Sequence, residues 1–322
     1  MKKFVFLALA SVLLFFGLHV IYLIMFYSVP KTTAWTNNCL IKKENIALSL
    51  SCPKIIFTSG SNTLFGLRAI DVEKNIKIPS VNLAVHAGLE TDYILYRAKK
   101  VLKPGDTIVL SFEYEDILWN GSYSEIRVAQ ILTHDQEYMK LLSIKERLSL
   151  YKNLTFFDIS KSVKQKLEKV SEEPYHSSTL NDRGDETYNY DSKKIQANMK
   201  KVYKPFEIKP LGTRGQDEIL KFKEWCDENN VNIFISWPAT VYTKEYDTKE
   251  YRDFFSALIS YFDKNNFKIL GKPQDFIFPQ SLFYDTSYHL NNEGMTIRTQ
   301  KIISLLRKHG YGEPHTPSMS PK

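Results

Sequence analysis

The chain has 322 residues, of which 43% are hydrophobic and 25% are charged, so it is not a predominantly disordered protein. Its net charge of +7 comes from scattered lysines rather than one basic stretch, which argues against a nucleic-acid-binding protein. It has three cysteines and no His/Cys cluster with the spacing of metal ligands, so we expect no metal and no other cofactor.

The first predicted element is a membrane-spanning helix. Lys2 and Lys3 precede an almost unbroken apolar run from Phe4 to Tyr27. At about 1.5 Å per residue, such a helix crosses the roughly 30 Å hydrocarbon core of a bilayer. The run ends in bulky residues instead of a signal-peptide cleavage site, so we expect an uncleaved anchor. We assign residues 1–28 to a cytoplasmic N-terminus and this anchor, since positive residues before the helix place the remaining chain outside the cytoplasm.

Residues 29–52 are predicted to form a stem between the anchor and a globular domain. Cys39 and Cys52 flank part of this stem and could pair as a disulfide, which spacing alone does not decide. Cys226 lies in an amphipathic helical pattern and is predicted to be buried and free.

From residue 53, short apolar runs alternate with amphipathic helical patterns. This alternation predicts a three-layer α/β/α, flavodoxin-like domain with a parallel sheet over residues 53–310. A polar region at about 116–210 interrupts the pattern and is predicted to be an insertion lying over the core, partly as long loops. Residues 311–322 are predicted to be a flexible tail. The predicted strands are 54–58, 81–85, 107–112, 231–236 and 267–270, and the predicted helices are 62–75, 89–102, 136–150, 157–170, 217–229, 250–262 and 293–308.

The first candidate catalytic residue is Ser61, at the junction of the first predicted strand and helix. Ligands gather at the carboxyl ends of parallel strands, and the backbone N–H groups there can face an oxyanion. Gly60 permits the close approach that such a turn requires. The alternative is that Ser61 and Asn62 only cap the following helix.

A second candidate segment lies before the last predicted helix and contains Asp285 and His289. A loop in this position can reach the same edge of the sheet as Ser61. His289 would then take the proton from Ser61, and Asp285 would hold the imidazole tautomer. The alternative is a surface histidine near a capped helix.

These residues resemble the SGNH (GDSL-type) hydrolase superfamily, whose serine follows the first strand in a Gly-Asp-Ser block. Here that block is Ser59-Gly60-Ser61, and the family's Asp-x-x-His block is similar to Asp285…His289. The family's second block resembles the run from Asn82 to Gly88. The resemblance implies that Gly88 donates an N–H group to the oxyanion. His86, in the same run, is a candidate substrate contact, with a hydrogen-bonded structural histidine as its alternative.

Three departures from the family pattern stand out. Three residues, instead of two, separate Asp285 from His289. The block after the third strand is Phe112-Glu113-Tyr114-Glu115-Asp116 and lacks the family's asparagine, an oxyanion donor of a kind worth about 10²–10³ in rate. Asn62 is the candidate to replace that donor. Glu113 and Glu115 would also bring negative charge toward the oxyanion unless they point away or pair with a base.

With the predicted anchor, the chain resembles membrane-tethered members such as polysaccharide O-acyltransferases and the D-alanyl-lipoteichoic acid transfer protein. The resemblance implies a bacterial membrane protein whose main domain lies outside the cytoplasm. Ser61 would carry an acyl group from a donor to a cell-envelope polymer, with a multi-spanning membrane acyltransferase as the candidate partner. The alternative is a catalytically inactive module that binds glycan or scaffolds an envelope-modification complex.

Overall fold

The computed structural model describes residues 2–26, 31–152, 176–190 and 203–312. The chain divides into two compact units. One contains residues 1–35 and 125–174, and the other contains residues 36–124 and 175–322. The second unit holds the α/β domain and all of the candidate catalytic residues.

Among the described residues, helices and strands alternate along the second unit as the sequence predicts, and the first unit is helical. The helices are α1 (Lys2–Phe26), α2 (Lys31–Ser49), α3 (Ser61–Leu64), α4 (Ala69–Ile76), α5 (Thr91–Lys99), α6 (Tyr114–Ile117), α7 (Glu125–His134), α8 (Gln136–Leu141), α9 (Ile144–Lys152), α10 (Arg214–Glu228), α11 (Lys249–Lys264) and α12 (Asn292–Lys308). The strands are β1 (Ile55–Thr58), β2 (Ser80–Asn82), β3 (Thr107–Leu110), β4 (Asn232–Ile235), β5 (Thr240–Val241), β6 (Lys268–Ile269) and β7 (Ile277–Phe278).

Five of the strands form a parallel sheet in the order β2-β1-β3-β4-β6. This is the flavodoxin-like order, and it confirms the predicted α/β fold. By the right-handed rule for connections between parallel strands, α4 lies on one face of the sheet and α5, α10 and α11 lie on the other. Helix α12 packs against α4, and α10 packs against α5. Strands β5 and β7 form a separate parallel pair that is too short to show a sequence pattern.

The helix predicted at 62–75 is wrong in its middle, because α3 ends at Leu64 and α4 begins at Ala69. The buried Asn82 amide donates hydrogen bonds to the carbonyls of Thr63 (2.9 Å) and Leu67 (3.2 Å). These bonds from a neighbouring strand hold a non-helical turn, which helical periodicity cannot reveal.

Within the predicted insertion, residues 176–190 belong to the second unit and bond to it. The backbone N–H of Asn82 donates to the carbonyl of Arg183 (2.9 Å). The buried Asp185 carboxylate accepts the N–H groups of Ala69 (2.6 Å) and Ile70 (3.1 Å) and so caps α4. Burial raises the pKa of Asp185 to about 6.

Elsewhere the boundaries of the predicted elements change. The helix predicted at 136–150 is two helices, α8 and α9, and α7 precedes them. The helix predicted at 157–170 lies outside the described residues. At the predicted tail, the Tyr311 hydroxyl is 2.8 Å from Thr107 Oγ1, so residue 311 is held to the sheet, while residues 313–322 lie outside the described ranges.

Helix α1 is long and apolar enough to span a membrane, with its most apolar window at Lys2–His19. It is the one such helix in the described part of the chain. The finding agrees with the predicted N-terminal apolar helix.

The predicted stem is helix α2, and from Thr36 onward it belongs to the second unit. Lys42 Nζ donates to the carbonyls of Ser177 and Leu180, both at 2.8 Å. Glu44 forms an ion pair with Arg97 at 2.5 Å. The helix therefore contacts the body of the domain through charged residues. The three cysteines are free thiols: Cys39 on this helix, Cys52 and Cys226.

Lys43, on the same helix, is fully buried. Its ammonium group donates to the carbonyl of Ala84 (2.5 Å) and to Asn82 Oδ1 (3.4 Å). Burial lowers the pKa of Lys43 to about 8. The buried lysine is thus tied to the residue that holds the turn after α3.

Lys43 gives a testable pH dependence of stability. Its folded pKa is below that of an unfolded lysine, about 10.4, so its contribution to stability is lost as the pH falls through about 8. We expect the unfolding free energy of wild type minus that of Lys43→Met to rise by about 1 kcal/mol between about pH 7 and about pH 8.5. Urea denaturation of both proteins at each pH measures this difference in unfolding free energy. Lys42→Met is the control because it leaves Lys43 in place, and a difference independent of pH would contradict the assignment.

Candidate active site

Two serines follow β1, and the structure gives them different roles. Ser59 is fully buried, and its hydroxyl lies 2.6 Å from Thr63 Oγ1 and accepts from Asn62 Nδ2 at 3.0 Å. Ser61 is partly exposed and is the first residue of α3. Within the described ranges, its hydroxyl makes no hydrogen bond. Ser61 is therefore the serine of this turn that is available to react.

Gly60 is required at this turn for reasons of space. A methyl group in its place would lie 2.6 Å from the Cα of Ala87 and 2.6 Å from Glu113 Oε1. Both distances are far below van der Waals contact. Gly60 thus lets the Glu113 carboxylate approach the backbone before Ser61.

Glu113 is bound to the backbone around Ser61. Its carboxylate accepts the N–H groups of Asn62 (2.9 Å) and Gly60 (3.2 Å), and its side chain is 3% exposed. Burial raises the pKa of Asp116 well above its usual range, and the neighbouring charges of Glu113 and Glu115 raise it further.

Arg298 lies on the other side of the same turn. Its guanidinium donates to the Asn62 carbonyl (2.8 Å), to Asn62 Oδ1 (2.9 Å) and to the Trp237 carbonyl (3.1 Å). Burial lowers the pKa of Arg298 to about 10, and the negative charge of Glu113 opposes that change. The Ser61 turn is held between a buried anion and a buried cation.

Asp285 and His289 form a hydrogen-bonded pair in the loop before α12. His289 Nδ1 lies 2.7 Å from Asp285 Oδ1, and His289 is 8% exposed. The loop closes on itself, since the Tyr284 N–H donates to the His289 carbonyl (2.7 Å) and the His289 N–H donates to Thr286 Oγ1 (3.1 Å). This closure accommodates the extra residue between the two side chains.

The Asp285–His289 pair packs against the turn that carries Ser61. The imidazole of His289 and the ring of Phe65 have centroids 4.3 Å apart. The Phe65 N–H donates to the Ser61 carbonyl at 2.9 Å. The predicted base and nucleophile therefore belong to two segments in direct contact at the carboxyl end of the sheet.

Asn189 joins these two segments and was missed by the sequence analysis. It is fully buried, and its Nδ2 donates to the carbonyls of Leu290 (2.6 Å) and Phe65 (3.3 Å). It comes from the predicted insertion, 124 residues from Phe65. Its role depends on that distant contact, and the polar sequence around it carries no signal of it.

The other predicted site residues have partners in this structure. Gly88, predicted as an oxyanion donor, gives its N–H to His86 Nδ1 at 2.9 Å. Burial, followed by the charge of His289, lowers the pKa of His86 to about 4, so His86 is neutral. The Asn62 amide, predicted to replace the family's asparagine, donates to Ser59 and to the Ser111 carbonyl (2.9 Å). Neither Gly88 nor Asn62 presents a free donor to Ser61.

Taken together, the described residues offer a free serine hydroxyl and a histidine oriented by a carboxylate. These are the groups of nucleophilic acyl chemistry. Among the described residues, no cluster of His, Cys, Asp and Glu side chains could hold a metal ion.

No family model and no curated protein matches the chain. Solved structures with a related fold include a protein named as a lipolytic protein of the G-D-S-L family from Desulfitobacterium hafniense DCB-2, with a TM-score of 0.38, 11% identity and coverage of 78% of this chain and 98% of that chain. A second is a protein named as an acylhydrolase from Bacteroides fragilis NCTC 9343, with a TM-score of 0.40, 11% identity and coverage of 85% and 96%. A third is a protein named as a platelet activating factor from Streptococcus pneumonia, with a TM-score of 0.39, 11% identity and coverage of 86% and 94%. The likeness is one of fold.

Proposed function

We propose that the chain is a membrane-anchored SGNH-type esterase or O-acyltransferase that uses Ser61, His289 and Asp285. The observation that carries the proposal is the 2.7 Å Asp285–His289 pair, whose imidazole packs on Phe65 of the Ser61 turn. The free hydroxyl of Ser61 supports the assignment of the nucleophile, because the neighbouring Ser59 hydroxyl is buried and bonded.

In the proposed reaction, Ser61 Oγ attacks the carbonyl carbon of an acyl group while His289 Nε2 takes the hydroxyl proton. Asp285 holds Nδ1 of the imidazole and stabilises the imidazolium. His289 then gives its proton to the leaving oxygen, and the acyl group stays on Ser61. A second hydroxyl, from water or an acceptor, loses its proton to His289 and attacks the same carbon. His289 then gives that proton to Ser61 Oγ as the bond between Ser61 and the acyl carbon breaks.

The proposed substrates are an acyl donor and a cell-envelope polysaccharide or related polymer whose hydroxyl accepts the acyl group. The anchor α1 supports this setting, since it would hold the enzyme in a bacterial membrane with the α/β domain outside the cytoplasm. A multi-spanning membrane acyltransferase is the proposed source of the acyl group. The scattered lysines give no reason to propose a nucleic-acid partner.

Labelling with a serine-directed fluorophosphonate tests the proposal. We expect wild type to be labelled and Ser61→Ala to be unlabelled. Ser59→Ala is the matched control, because it removes the other hydroxyl of the same turn, and we expect it to keep the label. Labelling that persists in Ser61→Ala would exclude Ser61 as the nucleophile, whereas loss only in Ser59→Ala would move the site to Ser59.

A second candidate function is a catalytically inactive module that binds glycan or scaffolds an envelope-modification complex. The occupied donors favour it: Glu113 accepts the N–H groups on both sides of Ser61, and Gly88 donates to His86. A carboxylate at this position opposes an oxyanion. Absence of label in folded wild type, together with binding of an envelope polysaccharide that Ser61→Ala leaves unchanged, would support this function instead.

A further inference from the structure

Helices α8 and α9 in the first unit expose a row of large apolar side chains. Leu141, Ile144 and Leu148 are 67%, 76% and 65% exposed. Ile144 and Leu148 are four residues apart and lie on one side of α9, and Leu141 is the last residue of α8. The segment also has an inner side, formed by the buried residues Tyr138, Leu142 and Leu150. The segment therefore has apolar residues on two sides. The inner side packs within the protein, and the outer side is exposed.

This exposure stands out from the rest of the described surface. Outside α1, every other large apolar side chain described as exposed is less than half exposed, the highest value being 48%. Single exposed apolar residues are ordinary on proteins, but three of them within eight residues of the chain indicate a contact surface.

The charges around the row indicate what it contacts. Residues 136–152 contain four basic side chains and two acidic ones. The basic ones include the exposed Lys145 and Lys140, whose side chain is 70% exposed and forms an ion pair with Glu137 at 2.6 Å. Apolar residues beside lysines on one helical segment are the pattern of a helix that lies in a membrane interface and attracts anionic lipids.

We propose that Leu141, Ile144 and Leu148 insert into the headgroup–acyl boundary of an anionic bilayer. This membrane-contact surface belongs to the same compact unit as α1, the helix that is apolar enough to span the bilayer. The proposal rests on the membrane anchoring proposed above. A single spanning helix leaves an attached domain free to reorient, and a second contact from the same unit would restrict that freedom.

The test uses the full chain in vesicles of anionic phospholipid, with an environment-sensitive NBD probe on one introduced cysteine. Cys52→Ser provides the background, because Cys39 and Cys226 are 1% and 0% exposed. One protein carries Ile144→Cys. Its control carries Lys249→Cys, at a lysine whose side chain is 83% exposed on α11.

We expect the probe at residue 144 to be blue-shifted and quenched by doxyl-labelled lipids at least about twofold more strongly than the probe at residue 249. Replacing anionic with zwitterionic lipid should reduce that quenching. A probe at 144 that stays aqueous while the chain floats with the vesicles would overturn the surface and leave the anchor intact. Shielding without quenching by lipid would assign the surface to a second protein chain and also overturn the proposal. A chain that does not float would overturn both the surface and the anchor.

Discussion

His289→Ala is expected to lower the rate constant for reaction with a fluorophosphonate by about 10⁴-fold or more, because in the proposed mechanism Ser61 then has no base to take its proton. The imidazole is 2.7 Å from Asp285 and packs at a tilt against Phe65, so its position is set from two sides. Asp285→Asn keeps the shape of the side chain but favours the wrong tautomer, and we expect a loss of up to about 10⁴-fold.

The control for this prediction is His134→Gln, at an exposed histidine of the first unit. Circular dichroism of each variant shows whether it is folded at the assay temperature. If folded His289→Ala reacts within about tenfold of wild type, His289 is not the base of this site.

Arg298→Met is expected to lower the free energy of unfolding by about 3 kcal/mol, measured by urea denaturation. Methionine replaces the guanidinium with an apolar group. The carbonyl and side-chain oxygen of Asn62 then lose their buried donors, and the charge of Glu113 loses its nearby cation. Because Asn62 follows Ser61 directly, we expect fluorophosphonate labelling to weaken as well.

Arg307→Met is the matched control for Arg298→Met, since it removes an exposed arginine from the same helix and should change stability by less than about 0.5 kcal/mol. The double variant with Glu113→Gln tests the coupling across the turn. We expect it to be more stable than the sum of the two single changes predicts, by about 1 kcal/mol. Strict additivity would show that Glu113 and Arg298 act independently.

The α/β framework was readable from the chain because its elements are local patterns. The run around Ile56 is short, apolar and followed by Gly60, as expected of a buried strand with a tight exit. The final helix follows Asn291, whose side chain accepts the Gly294 N–H as an N-cap. Boundaries set by capping and periodicity were accordingly close to those in the structure.

The surroundings of the candidate site were not readable, because they depend on residues distant in sequence. Asn189 donates to carbonyls 101 and 124 residues away, and Arg298 donates to Asn62 across 236 residues. By residue type, the side chain of Asn62 could donate to an oxyanion. In the structure, its amide already donates to Ser59 and to the Ser111 carbonyl. Residue type indicates that a side chain can donate a hydrogen bond, but tertiary packing decides which group accepts it.

The sequence by itself determined the apolar N-terminal helix, the order of strands and helices, and the serine, histidine and aspartate that could react. Each of these follows from periodicity, local turn chemistry or side-chain type. Only the tertiary structure decided that Asp285 and His289 pair, that Ser61 and not Ser59 has the available hydroxyl, and that Glu113 accepts the N–H groups beside it. The reason is physical: hydrogen bonds and buried charges in this site join separate segments, and their partners are set only when the sheet brings those segments together.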